Sequence, residues 1–225
     1  NIQNLQRDFI ANVSHELKTP ITSILGYCET FISEKLENKN IKKKFFQTMM
    51  NEAQRMSTLV NDLLSLTRIE RIEHSPPSQS INLAEILREV SKTCSERAFI
   101  NGSKYSFILP KKKIMIIGDK SELKQVFLNI IENAIIHSNS KKPIQIKLSH
   151  SKAGIIFSVE DFGIGISNQH VPLLTKRFFR VDPSRSRESG NTGLGLSIVK
   201  HTLNRHNAEL NIQSTVNKGS KFSIT

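Results

Sequence analysis

Tryptophan is missing from this sequence, tyrosine occurs twice, and aromatic residues make up only 6% of it. So few rings cannot build a stacking platform for single-stranded nucleic acid. Cysteine occurs only as Cys28 and Cys94, far apart and without CxxC or metal-ligand spacing. Both read as reduced thiols in a reducing compartment, not as a disulfide or a zinc site. No run of 18 apolar residues occurs, so this stretch is not expected to span a membrane. No initiator Met and no secretory signal stand at Asn1, so the chain reads as a piece of something longer. Internal repeats are also missing.

What is present is the composition of a soluble globular chain: 225 residues, 37% apolar and 23% charged, enough for one or two domains. The net charge of +12 is unevenly spread. Residues 1–74 hold 10 Lys and Arg against 9 Asp and Glu, whereas residues 75–225 hold 22 against 11. A basic second half attracts polyanions. A nucleoside triphosphate fits this, and so does a plain solvated surface near an acidic membrane; the shortage of rings counts against nucleic acid.

Leu5, Phe9, Val13, Leu17, Ile21, Ile24, Cys28 and Phe31 recur at steps of three and four and predict a helix over 1–37. Asn38-Lys39-Asn40 reads as a turn. Met49, Met56, Leu59, Leu63 and Leu66 repeat the pattern over 41–72 without Gly or Pro. Two such helices make an antiparallel hairpin, whose seam is most cheaply buried by a symmetric dimer forming a four-helix bundle. The Met and Leu stripe is core. His74-Ser-Pro-Pro-Ser-Gln-Ser80 stops the second helix, giving a hairpin domain over 1–74, a linker over 75–80 and a second domain over 81–225.

Past the linker the period changes. Helices are expected over Leu83–Ala98, Asp119–Ser138 and Thr192–Arg205. Strands are expected over Tyr105–Leu109 and Ile114–Ile117, around a Pro-Lys-Lys-Lys turn. Hairpins are expected over Ile144–Ser149 with Ile155–Val159, and over Leu210–Ser214 with Lys221–Thr225 around Asn217-Lys-Gly219. Residues 167–192 read as irregular. The class is α+β: one mixed sheet with helices on one face.

His15 lies about 200° around the helix from Val13 and Leu17, so it points away from the apolar seam. Its face carries Ala11, Asn12, Lys18 and Thr19. A surface histidine needs no role, but Glu16 follows directly and offers a carboxylate to orient or deprotonate the ring. A neutral imidazole is a competent nucleophile near neutral pH. Pro20, inside an otherwise good helix, costs about 3 kcal/mol and frees the Glu16 carbonyl.

Three further groups carry chemistry. Asn129, Asn133 and His137 fall on one stripe of the third expected helix, whose other sides hold Leu123, Phe127, Ile130, Ile131 and Ala134. Asparagine is a poor helix former, so two in line want either a ligand, such as Mg²⁺ through their amide oxygens, or backbone partners. Asp161-Phe-Gly-Ile-Gly-Ile166 sets a carboxylate at a strand end, suited to the exocyclic amine of adenine, followed by Gly163 and Gly165 for close chain passage. Gly190-Asn-Thr-Gly-Leu-Gly-Leu196 leads glycines into a helix, a phosphate site made of backbone N–H groups. Between these runs, Lys176 to Arg187 is basic and irregular, either a lid over a triphosphate or a solvated loop.

These segments together resemble the cytoplasmic core of bacterial two-component sensor histidine kinases over essentially the whole chain. Five motifs match in order: the H box Ser14-His15-Glu16-Leu17-Lys18-Thr19-Pro20, the N box Asn129-Ile-Ile-Glu-Asn133, the glycine box Asp161 to Ile166, the F box around Arg177-Phe178-Phe179-Arg180, and the glycine box Gly190 to Leu196. Arg180-Val-Asp182, Ser186-Arg-Glu-Ser189 and Ile198-Val-Lys-His201 are also similar to phosphate-regulon sensors.

The resemblance implies a dimerisation and phosphotransfer hairpin followed by an α/β sandwich ATP-binding domain of the gyrase, MutL and histidine kinase type. His15 would be the phosphoacceptor and Glu16 its general base. Asn133, with Asn129, would hold Mg²⁺, and Asp161 would hold adenine. His137, Gly163, Gly165, Arg177 and Arg180 would line the nucleotide. Gly193, Leu194, Gly195 and Leu196 would form the phosphate loop and lid hinge. Thr19 matches the position that assists dephosphorylation of the regulator. The implied cofactors are ATP and Mg²⁺; the partners are a second copy and a response-regulator receiver domain, not nucleic acid. A membrane would enter only through upstream segments, making this the cytoplasmic portion of an inner-membrane sensor.

The chain departs from the family in places. Ile136 stands where relatives carry a phosphate-reaching lysine, so Arg177, Arg180, Arg185 or Arg187 must supply that charge. Thr175 and Lys176 replace the usual Phe-Glu, and Asn191 replaces a glycine. Two rivals remain. An ATPase of the same fold leaves the H box unused, and a non-catalytic bundle leaves the glycine runs unused.

Overall fold

The computed structural model of the chain describes residues 2–33, 38–101, 104–138, 140, 142–151, 154–182 and 191–225. Arg185, Arg187 and Gly190 lie outside them, as does the side chain of Leu5. The chain divides into two compact units, Asn1–Leu64 with Pro183–Thr192 and Ser65–Asp182 with Gly193–Thr225.

The first unit is built on helix α1 (Ile2–Ser33) and the greater part of α2 (Lys39–Ile72). Asn38 starts α2 as an N-cap: its Oδ1 accepts from the amides of Asn40 at 2.9 Å and Ile41 at 3.3 Å. Lys39 and Asn40 are therefore helical, and the expected three-residue turn shrinks to its first residue. Phe31 of α1 meets both Phe45 and Phe46 of α2, with ring centroids 5.9 and 4.8 Å away, and Tyr27 meets Phe45 at 4.8 Å. The end of α1 thus packs on the start of α2, as an antiparallel hairpin requires. Phe9, Val13, Leu17 and Ile24 are half-buried. Ile21 and Cys28 of the same stripe are exposed. So are Ile10, Leu25, Phe46, Met50, Val60 and Leu64. The hairpin leaves more apolar surface than two helices can cover.

The second unit holds the last turns of α2, where Leu66 and Ile69 are buried. It continues through β1 (Ser80–Asn82), α3 (Leu83–Asn101), β2 (Tyr105–Ile108), β3 (Met115–Ile117), α4 (Lys120–His137), β4 (Ile144–Ser151) and β5 (Gly154–Asp161). A 3-10 turn (Val171–Leu173), α5 (Gly195–Arg205), β6 (Leu210–Thr215) and β7 (Gly219–Ile224) complete it. Five strands form a mixed sheet in the order β2-β4-β5-β7-β6, with β2 parallel to β4 and the other pairs antiparallel. Helix α4 lies on β4 and β5 between α3 and α5. Its buried Val126, Ile130, Ile131 and Ala134 join Val159 and Phe222 of the sheet and Val199 of α5 in one core.

Two expectations change. The expected single sheet is two, because β1 and β3 form a separate antiparallel pair, with Ile81 opposite Ile116. This pair is closed by Gly118 N donating to Gln79 O at 2.8 Å and Leu83 N to Ile114 O at 2.9 Å. Strands β2 and β3 are neighbours in sequence but not in space, and β2 reaches β4 through the long crossover that parallel pairing needs. The last helix starts at Gly195, three residues later than expected, because Gly193 has φ +74° and no right-handed helix passes through it.

Candidate functional site

In the first unit, His15 is exposed, and so are Ala11, Asn12, Lys18 and Thr19 around it. The helix therefore presents the imidazole to solvent, away from the seam. Thr19 Oγ1 donates to the His15 carbonyl at 3.3 Å, one turn before the buried Pro20. Glu16 turns the other way. Its Oε2 accepts from Arg55 Nη2 of α2 at 2.9 Å, and the two side chains are 14% and 10% exposed. The carboxylate next to His15 in sequence is thus engaged by a guanidinium 39 residues away. No local pattern announces that partner; the only signal is that Arg55 adjoins the apolar stripe through Met56 and Leu59.

In the second unit, α4 sets the frame. Asp119 caps it, its Oδ1 accepting from Ser121 N at 2.9 Å and Glu122 N at 3.1 Å. Burial alone would raise the Asp119 carboxyl, but bonds from the Ser121 side chain and from both backbone amides outweigh it and hold the group below its ordinary value. Asn129 is buried and bonded at both ends of its amide: its Oδ1 accepts from Gln125 Nε2 at 2.9 Å and its Nδ2 donates to Gly195 O at 3.1 Å. It braces α4 to the first residue of α5. Asn133 and His137 follow one and two turns on, half-buried.

Strand β5 ends on Asp161, which is 5% exposed. Burial pushes its carboxyl above the ordinary aspartate value, and bonds from the Gly163 and Ser220 backbone only partly offset this. Gly163 N donates to Asp161 Oδ1 at 2.9 Å. The run that follows lies along the β6–β7 turn, with Ile166 N on Ser214 Oγ at 2.7 Å and Asn217 N on Ile164 O at 2.8 Å. Gly165, at φ +66°, makes the bend this requires.

The F box and the second glycine run meet directly, since Phe178 N donates to Gly193 O at 2.9 Å. Phe178 itself has φ +62°, an uncommon conformation for an aromatic residue. Leu194 is buried, and Leu196 packs against the main core, so these two brace the loop from below. Among the described residues no side chain caps α5, and a helix start of this kind suits an anion.

Arg177 is turned elsewhere, donating to the Glu70 carboxylate at the end of α2. Arg180 is half-buried. The same end of α2 is fastened to the far side of α5. His201 Nδ1 is 2.8 Å from Glu73 Oε2, Asn204 Nδ2 donates to Glu73 Oε1 at 2.7 Å, and Arg205 Nε donates to Ser75 O at 2.8 Å. Burial would raise Glu73, but the bonds from Asn204 and His201 prevail and lower it. Arg205 Nη1 also donates to the buried Glu122 Oε2 at 2.6 Å. Among the described residues no group of three or more His, Cys, Asp and Glu side chains is arranged to hold a metal ion. Among the predicted site residues, the amide oxygens of Asn133 and Asn129 are the donors suited to a hard cation.

Residues 5–72 match the model of the His Kinase A (phospho-acceptor) domain. Residues 118–225 match the model of the histidine kinase-, DNA gyrase B- and HSP90-like ATPase. The phosphate regulon sensor protein PhoR of Pseudomonas aeruginosa is 37% identical over 99% of this chain and 50% of its own length. The protein of the same name from Haemophilus influenzae is 38% identical over 100% of this chain and 52% of its own length. The chain spans about half the length of these relatives. In fold it is similar to histidine kinase ThkA, solved in complex with response regulator protein TrrA. That match has a TM-score of 0.74 at 24% identity, and covers 96% of this chain and 60% of that one.

Proposed function

Because this chain belongs to the sensor histidine kinase family, we propose that it phosphorylates its own His15 from ATP. It then passes the phosphoryl group to an aspartate of a response-regulator receiver domain. One observation carries this reading. A single chain holds both an outward-facing histidine in a phospho-acceptor helix and, in its ATPase-like part, a buried carboxyl, Asp161, pushed up by burial, together with a glycine-rich helix start. A bare ATPase has no use for the first, and a scaffold none for the second.

In this reading His15 attacks the γ-phosphorus in line, and the protein contributes position and charge neutralisation more than covalent chemistry. Asp161 accepts the adenine amine, and the α5 amides with Gly193 and Gly195 hold the phosphates. Asn133 would hold Mg²⁺ through its amide oxygen. Asn129, whose oxygen already accepts from Gln125, keeps one lone pair for a bound water. An amide donor with nucleotide phosphates and waters fits a hard cation that retains much of its hydration. The ion would neutralise phosphate charge. Arg180 supplies the positive charge that Ile136 does not, joined by Arg177 once it leaves the Glu70 carboxylate it holds here.

The working unit is a homodimer, with the exposed apolar residues of the hairpin closing a four-helix bundle. The domains run over 1–74 and 81–225, joined at 75–80. The regulator docks on the bundle beside His15, and Thr19 assists its dephosphorylation. Among the described residues no helix is long and apolar enough to cross a membrane. We assign this stretch to the cytoplasmic portion of an inner-membrane sensor.

The test is incubation with γ-labelled ATP and Mg²⁺. Acid-labile, alkali-stable label that disappears in His15→Ala is expected. Label that survives in that variant overturns the phosphoacceptor assignment, and nucleotide binding without label favours the ATPase.

A further inference from the structure

Arg55 stands between two carboxylates, hydrogen-bonded to one and at ion-pair distance from the other. Its Nη2 donates to Glu16 Oε2 at 2.9 Å. Its Nη1 lies 4.0 Å from Glu52 Oε2, one turn back on the same helix. That Glu52 oxygen is buried and accepts no hydrogen bond from any described residue. A buried acceptor without a donor is costly, and the nearest nitrogen, Arg55 Nη1, belongs to the guanidinium whose other terminal nitrogen holds Glu16. A guanidinium carries five N–H groups in a fixed fork, so a change of side-chain torsion re-pairs it. Two carboxylates share one cation within a partly buried seam, and the charge is the same whichever holds it.

The identity of the first carboxylate gives this arrangement a use. Glu16 is the group proposed to take the proton from His15. When the imidazole nitrogen forms its bond to phosphorus and the bond from phosphorus to the ADP oxygen breaks, the ring becomes cationic. The proton on its other nitrogen then passes to the Glu16 carboxylate. A carboxylate engaged by a guanidinium is a weaker base than a released one, and its geometry is turned toward α2.

We propose that Arg55 is a positioning residue that alternates between Glu16 and Glu52, and that its move to Glu52 releases Glu16 to serve His15. The bond seen in the structure is the resting arrangement, and Glu52 is the waiting acceptor. The inference rests on the reading of His15 as phosphoacceptor and Glu16 as base. It adds two residues, Arg55 and Glu52, that touch neither nucleotide nor the reacting atoms.

The experiment measures the initial rate of labelling of the whole chain by Mg²⁺ and γ-labelled ATP across ATP concentrations. It compares wild type, Glu52→Gln, Arg55→Met and the double variant, with helix content and thermal melting recorded for each. Glu52→Gln takes away the charge that draws Arg55 off, so labelling at saturating ATP falls about tenfold with KM unchanged. Arg55→Met leaves Glu16 permanently released and labels at least as fast as wild type. In the double variant Glu52 no longer matters, and the rate returns to within about threefold of wild type, a non-additivity that simple structural damage does not produce. A wild-type rate in Glu52→Gln, an effect confined to KM, or a double variant slower than Glu52→Gln overturns the proposal. Should Glu52→Gln melt below the assay temperature, Arg55→Met decides alone, a tenfold loss counting against. Absence of label on wild type, or label surviving His15→Ala, instead removes the underlying reading.

Discussion

The backbone carbonyl of His137, last residue of α4, occupies the place where a Cβ on Gly163 would stand. The helix carrying the asparagine stripe and the loop carrying the adenine carboxyl are therefore in direct backbone contact. Gly163→Ala must push one away from the other. Backbone against backbone does not yield as a flexible side chain would, and the strain is about 2 kcal/mol or more. Expected are a lower melting temperature and loss of nucleotide binding, read with a fluorescent ATP analogue. Full binding in a folded variant would show that the two elements move independently.

Asp161 is predicted to cost stability in return for binding. Its folded carboxyl titrates above the ordinary aspartate value of 3.8 because burial disfavours its charge. The folded protein thus binds the proton more tightly than the unfolded chain. The destabilisation is absent below that ordinary value, grows as pH rises through the raised one, and is complete at neutral pH. Asp161→Asn should melt no lower than wild type at neutral pH, with its relative advantage shrinking toward pH 4, while nucleotide binding is lost. Melting curves against pH, paired with a binding titration, check both halves.

Asn129 and Asn133 should separate on mutation despite sharing one stripe. Asn129→Ala strands Gly195 O and Gln125, a loss of about 1–3 kcal/mol that appears in thermal unfolding. Asn133→Ala should raise the Mg²⁺ needed for half-maximal labelling by at least about tenfold. An unchanged Mg²⁺ requirement in Asn133→Ala would overturn its assignment to the metal.

The Arg205–Glu122 pair should be costly to halve. Both side chains are largely buried, at 11% and 7% exposure. Arg205→Met leaves the Glu122 charge uncompensated, at about 3 kcal/mol. That corresponds to roughly 6–12 °C of melting temperature for a chain of this size. Adding Glu122→Gln should recover most of it, which calorimetry of the single and double variants will show.

Much of this was readable in the chain itself where the signals are local. The Asp119 cap, the α4 stripe, the Asn217-Lys-Gly219 turn and the glycine run into α5 each sit within a few residues of what they shape. The sequence also places His15 opposite the apolar seam, because a single helix fixes which way its residues face. What escaped is non-local. Strand β1 is three residues long inside a polar stretch and has no period to detect. Strands β2 and β3 read as neighbours but join different sheets, through partners far along the chain. Arg55 with Glu16 and Arg177 with Glu70 pair across 39 and 107 residues, and opposite charges at such distances leave no mark. The Arg177 pairing also means that a residue read as phosphate-binding from its motif has a carboxylate partner already, which its neighbours in sequence gave no reason to expect.

The fastening of the last turns of α2 to α5 bears on how the molecule can be cut. A fragment that begins after the two prolines would lose Glu70, Glu73 and Ser75 as partners of Arg177, His201, Asn204 and Arg205. It would also lose Leu66 and Ile69, both buried. A fragment beginning at Ser65 keeps them and should be the more soluble and the more stable. The shorter one should then bind a synthetic peptide of residues 65–78 added in trans, regaining in two pieces what the intact chain holds in one.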